Sequence, residues 1–227
     1  YKFKDIPLKQ KIQLLILFCI FLISLTAFIS IEVISKSHEK VLYRSVSSNL
    51  SYSAVEVAKY LNFTANLADT IFSDTTIQQR LPIIQDTNSP AERQLYESHI
   101  YDIISNHLFS ESNQHVSYIS ILQEDGSSIH TYSPSFQLLP KEVKDHLIAI
   151  GHLYDGATTW VTDYSQEYGL FLVKKIREAK NFSFRSLGVL IINIDPVSLV
   201  SKTTAFESEY ETISWLLMDG SRLLYPA

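Results

Sequence analysis

Residues 157–178 read ATTWVTDYSQEYGLFLVKKIRE, and their side chains suit binding better than catalysis. Trp160 offers an aromatic face for a sugar ring or a cation. Asp163 can hold a ligand ammonium or hydroxyl, or it can simply open a turn. Tyr164 follows it directly. In the apolar run that comes next, alternation places Leu170, Leu172, Lys174 and Ile176 on one face, and Phe171, Val173, Lys175 and Arg177 on the other. An ammonium among aliphatic side chains is costly without an anionic partner or a ligand. Lys174 therefore either faces a pocket or runs its stem along the sheet to water. Trp160 either lines that pocket or fills a core. Tyr118 and Tyr132 flank an earlier hairpin and face the same choice.

Other chemistries find little support. The histidines at 38, 99, 107, 115, 130, 146 and 152 include no His-x-x-x-His pair, and no cysteine accompanies them outside position 19. We therefore expect no metal site. No Gly-x-Ser-x-Gly elbow and no Gly-x-Gly phosphate loop occur, so we expect no catalytic residues and no cofactor. Lys174, Lys175, Arg177, Lys180 and Arg185 form a basic cluster, but Glu167 and Glu178 interleave with it. That pattern reads as a solvated hairpin, not an anion site.

These residues must be positioned by a chain of uneven charge. Lys2, Lys4, Lys9 and Lys11 against Asp5 give residues 1–11 a charge of +3. The net charge of −5 leaves −5 − 3 = −8 for the remainder. An acidic body argues against nucleic acid as a partner. From Ile12 to Ile31 no charged residue occurs. That length is about the 20 residues needed to span the hydrocarbon core. The basic arm places the N-terminus in the cytoplasm. The run is longer than a signal-peptide core and lacks an Ala-x-Ala site after it, so we read an uncleaved anchor. Cys19 is the one cysteine and lies within this span, so the remainder has no disulfides. A disulfide-free exterior fits a bacterium.

After the span, glycine is absent until Gly126 and proline is absent between Pro7 and Pro82. We expect a helix running out of the membrane. Leu50, Ala54, Val57, Leu61, Ala68 and Ile71 form one apolar stripe, suited to its own domain or to a second copy. The segment DTTIQQRLPIIQDTNSP breaks this pattern. Ser89, Pro90 and Glu92 then form a capping box that opens a helix to about Phe109. VSYISILQEDGSSIHTYS predicts a hairpin turning at Asp125-Gly126. PKEVKDHLIAIG predicts a short helix from Pro140 with Gly151 as its C-terminal cap. TWVTD, GLFLVKKIRE and LGVLIINID predict further strands, and DPVSLVSKTTAF begins another helix.

An internal echo follows. YISILQEDGSSIHTYSP recurs in pattern as TISWLLMDGSRLLYPA, offset by 94 residues when Asp125 is set on Asp219. A second, similar module has begun, and we expect the parent protein to be longer.

A membrane span, a long helix, a sheet module and the opening of a second resemble the double Cache sensor region of bacterial receptors, and more narrowly the YesM-type sensor histidine kinases. The resemblance is carried by LYRSVSSNLSYSAVEVAKYLNFTANLADTIFSDTTIQ, by Gly156 and Trp160, and by LFLVKKIRE, LGVLIINIDP and WLLMDGSRLLYP. It implies a PAS-like antiparallel sheet binding a small molecule. It also implies a second span, a HAMP linker and a cytoplasmic kinase that addresses a response regulator. Many Cache sequences resemble ARPI where Lys174 stands, so this lysine takes the arginine's place without its planar fork. The amino-acid-binding subset carries Arg-x-Trp. Thr158 stands two before Trp160 here, which moves the expectation toward a sugar or another small polar ligand.

We therefore expect an α+β chain divided into a basic arm (1–11), a transmembrane helix (12–34), a stalk helix (35–80), a membrane-distal sensor module (81–198) and the start of a membrane-proximal module (199–227). The expected ligand residues are Trp160, Asp163, Tyr164, Lys174, Tyr118 and Tyr132. The expected partners are a small molecule, the cell membrane and a second copy. The same input could serve a chemoreceptor or a diguanylate cyclase, or the ectodomain could act in interaction alone.

Overall fold

The computed structural model describes residues 8–131, 138–165, 167–179, 184–196, 198–199, 217–219 and 222–225. The chain divides into two compact units, residues 1–52 and 53–227.

The first unit is the leading part of helix α1 (Leu8–Ser73). From Ile12 to Ile34 its large apolar side chains are exposed, among them Leu14, Phe18, Phe21, Leu25 and Phe28. Such a surface is unfavourable in water and favourable in lipid. The segment is apolar and long enough to cross a membrane.

The second unit begins with the remainder of α1. Here the stripe read from the sequence turns inward: Val57, Ala68 and Ile71 are buried, while Leu50 in the first unit and Ala54 stay exposed. The helix expected to reach residue 80 ends at Ser73. Asp74 takes extended backbone geometry and its carboxylate accepts from the Thr76 and Ile77 amides at 2.8 and 3.0 Å. It thereby caps a new helix, α2 (Thr75–Asp86), in the segment read as a break. Pro82 removes one backbone bond inside α2, but Ile77, Leu81 and Ile84 are buried and hold the helix together. The boundary expected between residues 80 and 81 thus falls within α2.

Helix α3 (Pro90–Leu108) starts as expected, with the Ser89 hydroxyl accepting from the Glu92 amide at 3.4 Å. Glu92 does not close the box. Its carboxylate instead accepts from the Thr87 hydroxyl at 2.7 Å. A 3-10 turn (Glu111–Asn113) leads into β1 (Val116–Leu122), which pairs with β2 (Ser128–His130) across the expected turn. Gly126 sits there at φ 82, a conformation that favours glycine. Helix α4 (Lys141–Leu153), β3 (Thr159–Val161), β4 (Leu170–Arg177) and β5 (Ser186–Ile194) follow.

Among the described residues these strands form one five-stranded antiparallel sheet, ordered β2-β1-β5-β4-β3. One face carries Ile119, Ile121, Leu172, Ile176, Leu190 and Ile192 against α1, α2 and α3. The other carries Leu122, Phe171, Val173, Val189 and Ile191 against Val143 and Leu147 of α4. The later segment contributes β6 (Leu217–Asp219) and β7 (Arg222–Tyr225), paired antiparallel as the echo predicts. The expected helix from Asp195 is described only at its start, where the Leu199 amide donates to the Asp195 carbonyl at 3.2 Å.

Gly151 does not cap α4. The helix runs through it to Leu153, and Tyr154 is the cap. Gly151 instead lets α4 approach β5, because a Cβ there would lie 2.8 Å from both methyls of Val189. Gly151→Ala should destabilise the fold by about 1–3 kcal/mol through overpacking, despite its better helix propensity. Val189→Ala in the same chain should recover part of the loss. Denaturant midpoints of the two variants check this, and a stabilised single variant would show that the approach is not tight.

Candidate functional site

The alternation read for β4 holds, and it separates the expected ligand residues onto opposite faces of the sheet. Lys174 and Trp160 lie on the face covered by α1. Trp160 opposes Leu172 in the β3–β4 ladder. It is half-buried and packs against Leu170, Ile194 and Leu199, a cluster that Tyr60 and Leu61 of α1 also cover. Its indole therefore covers apolar clusters to which both the sheet and α1 contribute.

Lys174 is not left to snorkel alone. Its Nζ meets the Asp69 carboxylate of α1 at 2.5 Å and the Thr158 hydroxyl at 3.3 Å. The ammonium also lies 5.2 Å from the centre of the Phe72 ring. Its side chain is 12% exposed and that of Asp69 is 61% exposed. The stem is thus buried while the partner carboxylate stays wet. Such a pair costs less to form than a fully buried one, and it is worth correspondingly less. Its effect is positional: it ties β4 to α1. On the opposite face Lys175 and Arg177 both pair with Asp155.

Tyr118 and Tyr164 belong to the α4 side. The Tyr164 hydroxyl lies 2.8 Å from His146 Nδ1, and the two rings meet edge to face. Tyr118 is 1% exposed, and burial pushes its phenol well above the usual value of 10.0. Asp163 is exposed and opens a turn, in which the Ser165 amide donates to the Thr162 carbonyl at 3.1 Å and the Tyr168 amide to the Tyr164 carbonyl at 2.8 Å. Behind that turn, buried Asn193 donates to the Tyr168 carbonyl at 2.6 Å. Tyr132 lies outside the described residues.

Two clefts open beside the β1–β2 turn. One, about 330 Å³, lies against α4 and is lined by Lys141, Lys144 and Asp145. Near it His130 is held below its usual range, first by burial and then by Lys144. The other, about 500 Å³, lies between the α2–α3 connection and the sheet end. There Arg93 donates to Asp125 at 2.9 Å and to Ser127 at 2.7 Å. Asp125 is held below the usual carboxylate range, mainly by the Ser127 hydroxyl and further by Arg93. Among the described residues no His, Cys, Asp and Glu group could hold a metal ion. Sequence reading missed Asp69, Phe72, His146 and the arginine cleft, because each pairing joins residues far apart in the chain.

Two measurements follow from this geometry. A double-mutant cycle on Lys174→Met and Asp69→Asn should give a coupling of about 0.5–1 kcal/mol, reduced by added salt. A coupling of zero would mean that the contact does not hold β4 to α1. For Tyr118, the folded state keeps its phenol proton where the unfolded state loses it. Stability should therefore fall as pH rises above 10.0, and Tyr118→Phe should flatten that decline. Urea midpoints across that range check the sign.

No protein-family model matches this chain, and no curated protein matches it in sequence.

Proposed function

We propose that this chain is the ligand-sensing, signal-transmitting region of a bacterial membrane receptor, with its N-terminus in the cytoplasm and residues after about 34 extracytoplasmic. The observation that carries this reading is the double use of one helix. The first part of α1 is suited to lipid, and its last turns bear Asp69 and Phe72, which grip Lys174 of the sheet. An event in the sheet is therefore felt by a helix that also has a membrane-suited segment. The five-stranded antiparallel sheet with helices on both faces supports a PAS-like, Cache-type module. The β6–β7 hairpin supports a second module after it. Exposed Leu42, Val46 and Leu50 on α1 support pairing with a second copy. A histidine-kinase output, acting on a response regulator, would reside in further parts of the parent protein.

Mechanistically, a small molecule that binds one arrangement of sheet and helix more tightly than another shifts their populations. Helix movements of about 1–2 Å suffice in such switches. Trp160 and Lys174 act here as coupling residues between sheet and α1. Tyr118, Tyr164 and His146 lie on the face away from α1, where ligand contact leaves the coupling seam intact.

The test uses the full chain in lipid nanodiscs with a panel of sugars, amino acids and organic acids. A ligand should raise the thermal midpoint. It should also slow hydrogen exchange in residues 57–73 of α1, and Lys174→Met should uncouple the exchange response from binding. Binding without any change in α1 exchange, or no binding across the panel, overturns the proposal.

A further inference from the structure

Gln123 directly follows β1 and is only 2% exposed, yet its side-chain Nε2 meets no hydrogen-bond partner among the described residues. Ser186 opens β5, and its buried hydroxyl likewise meets no partner among the described residues. A buried donor left unmade costs about 1–3 kcal/mol. Both residues line the same cleft, the one of about 500 Å³ between the α2–α3 connection and the sheet end. Neither atom is open to solvent as the cleft stands, so a ligand that shifts the lining side chains as it enters can supply both missing partners.

The cleft also limits what that ligand can be. Its charged lining is balanced, with Arg93 and Arg185 against Glu124 and Asp125. Neither guanidinium is idle. Arg93 Nε donates to Glu97 at 3.0 Å, beyond its bonds to Asp125 and Ser127. Arg185 grips Asp86 through two bonds of 3.0 and 2.7 Å. An incoming anion would have to displace these carboxylates. The rest of the lining includes Gln85, Thr87 and Asn88, which hydrogen-bond without net charge. Just before Arg185, Phe184 sits at φ 49, a backbone conformation rare for a bulky residue.

We propose that this cleft is a binding site for a neutral, hydroxyl-rich small molecule of sugar or cyclitol type, with Gln123 and Ser186 as its anchoring donors. The site is separate from the Tyr118–Tyr164 face. Its role in signalling rests on the sensing function proposed above; its binding chemistry does not.

The experiment titrates the full chain in nanodiscs with glucose, maltose and myo-inositol as neutral probes, and with glucuronate and glutamate as charged ones, by saturation-transfer NMR and calorimetry. At least one neutral probe should bind with a Kd below about 10 mM, on the scale where each tenfold is 1.4 kcal/mol. Gln123→Leu and Ser186→Ala should each weaken it by about tenfold or more. Both variants should melt at or above the wild-type temperature, because each removes a buried group that lacks a partner. Asp102→Asn, exposed on α3 and away from the cleft lining, should bind as wild type does. The inference is overturned if no neutral probe binds, if the charged probes bind more tightly, or if both cleft variants bind like wild type. A probe that still binds both variants while slowing exchange in α1 overturns the cleft site and leaves the sensing function standing.

Discussion

A central strand that is apolar on both sides cannot present either side to water. From Leu187 to Ile194 strand β5 is buried throughout, with Leu190 and Ile192 on one face and Val189 and Ile191 on the other. Helices must therefore cover both faces of the sheet. The chain before β1 supplies one cover, in α1, α2 and α3. The β2–β3 connection supplies the other, in α4. Two polar groups on the sheet are met by specific elements. Lys174 meets Asp69 of α1, and Asn193 meets the turn before β4. Gly151 is needed where α4 meets β5, and Gly169 where the turn before β4 meets β5: a Cβ on Gly169 would lie 2.6 Å from the Ile194 carbonyl.

Much of this was legible along the chain. The strands, the Asp125-Gly126 turn and the Ser89 cap are local events, governed by alternation, positive φ and a side-chain oxygen beside free amides. Even the division of β4 into a Lys174 face and a Lys175–Arg177 face follows from alternation alone. The end of α1 was misread for a local reason as well. Asp74 signals a cap as clearly as Ser89 does, but no proline follows it, and the apolar stripe continues into Ile77 and Leu81 in near-helical spacing. Gly151 was misread because a glycine near a helix end commonly caps it. What it does here depends on Val189, a residue on another element.

The candidate site was legible only in part, because alternation tells which residues share a face but not what covers it. Trp160 and Lys174, each a candidate for a pocket, lie on one face of the sheet. Tyr118, a candidate for a cavity or for the core, and Tyr164 lie on the other face, with the sheet between them and Trp160 and Lys174. Nothing local to Lys174 reveals that Asp69, 105 positions earlier, supplies its counter-charge. The cleft at Gln123 had no sequence signal at all. A glutamine next to a hairpin turn is ordinary; only its burial without a partner makes it informative.

The separation of these residues bears on the sensing function proposed above. A ligand placed between sheet and α1 would have to disrupt the Trp160 and Lys174 contacts in order to enter, and binding would then oppose the coupling it is meant to drive. A ligand at the sheet end or on the α4 face meets no such conflict. It can change the relation of α2, α3 and the β1–β2 turn while the Asp69–Lys174 contact keeps β4 and α1 together. Coupling then needs only that the two arrangements differ in affinity for the ligand, by about 1.4 kcal/mol for each tenfold change in their ratio. Under the sensing function proposed above, the lysine buried beside Asp69 would carry the coupling, and contact with the ligand would fall to other side chains.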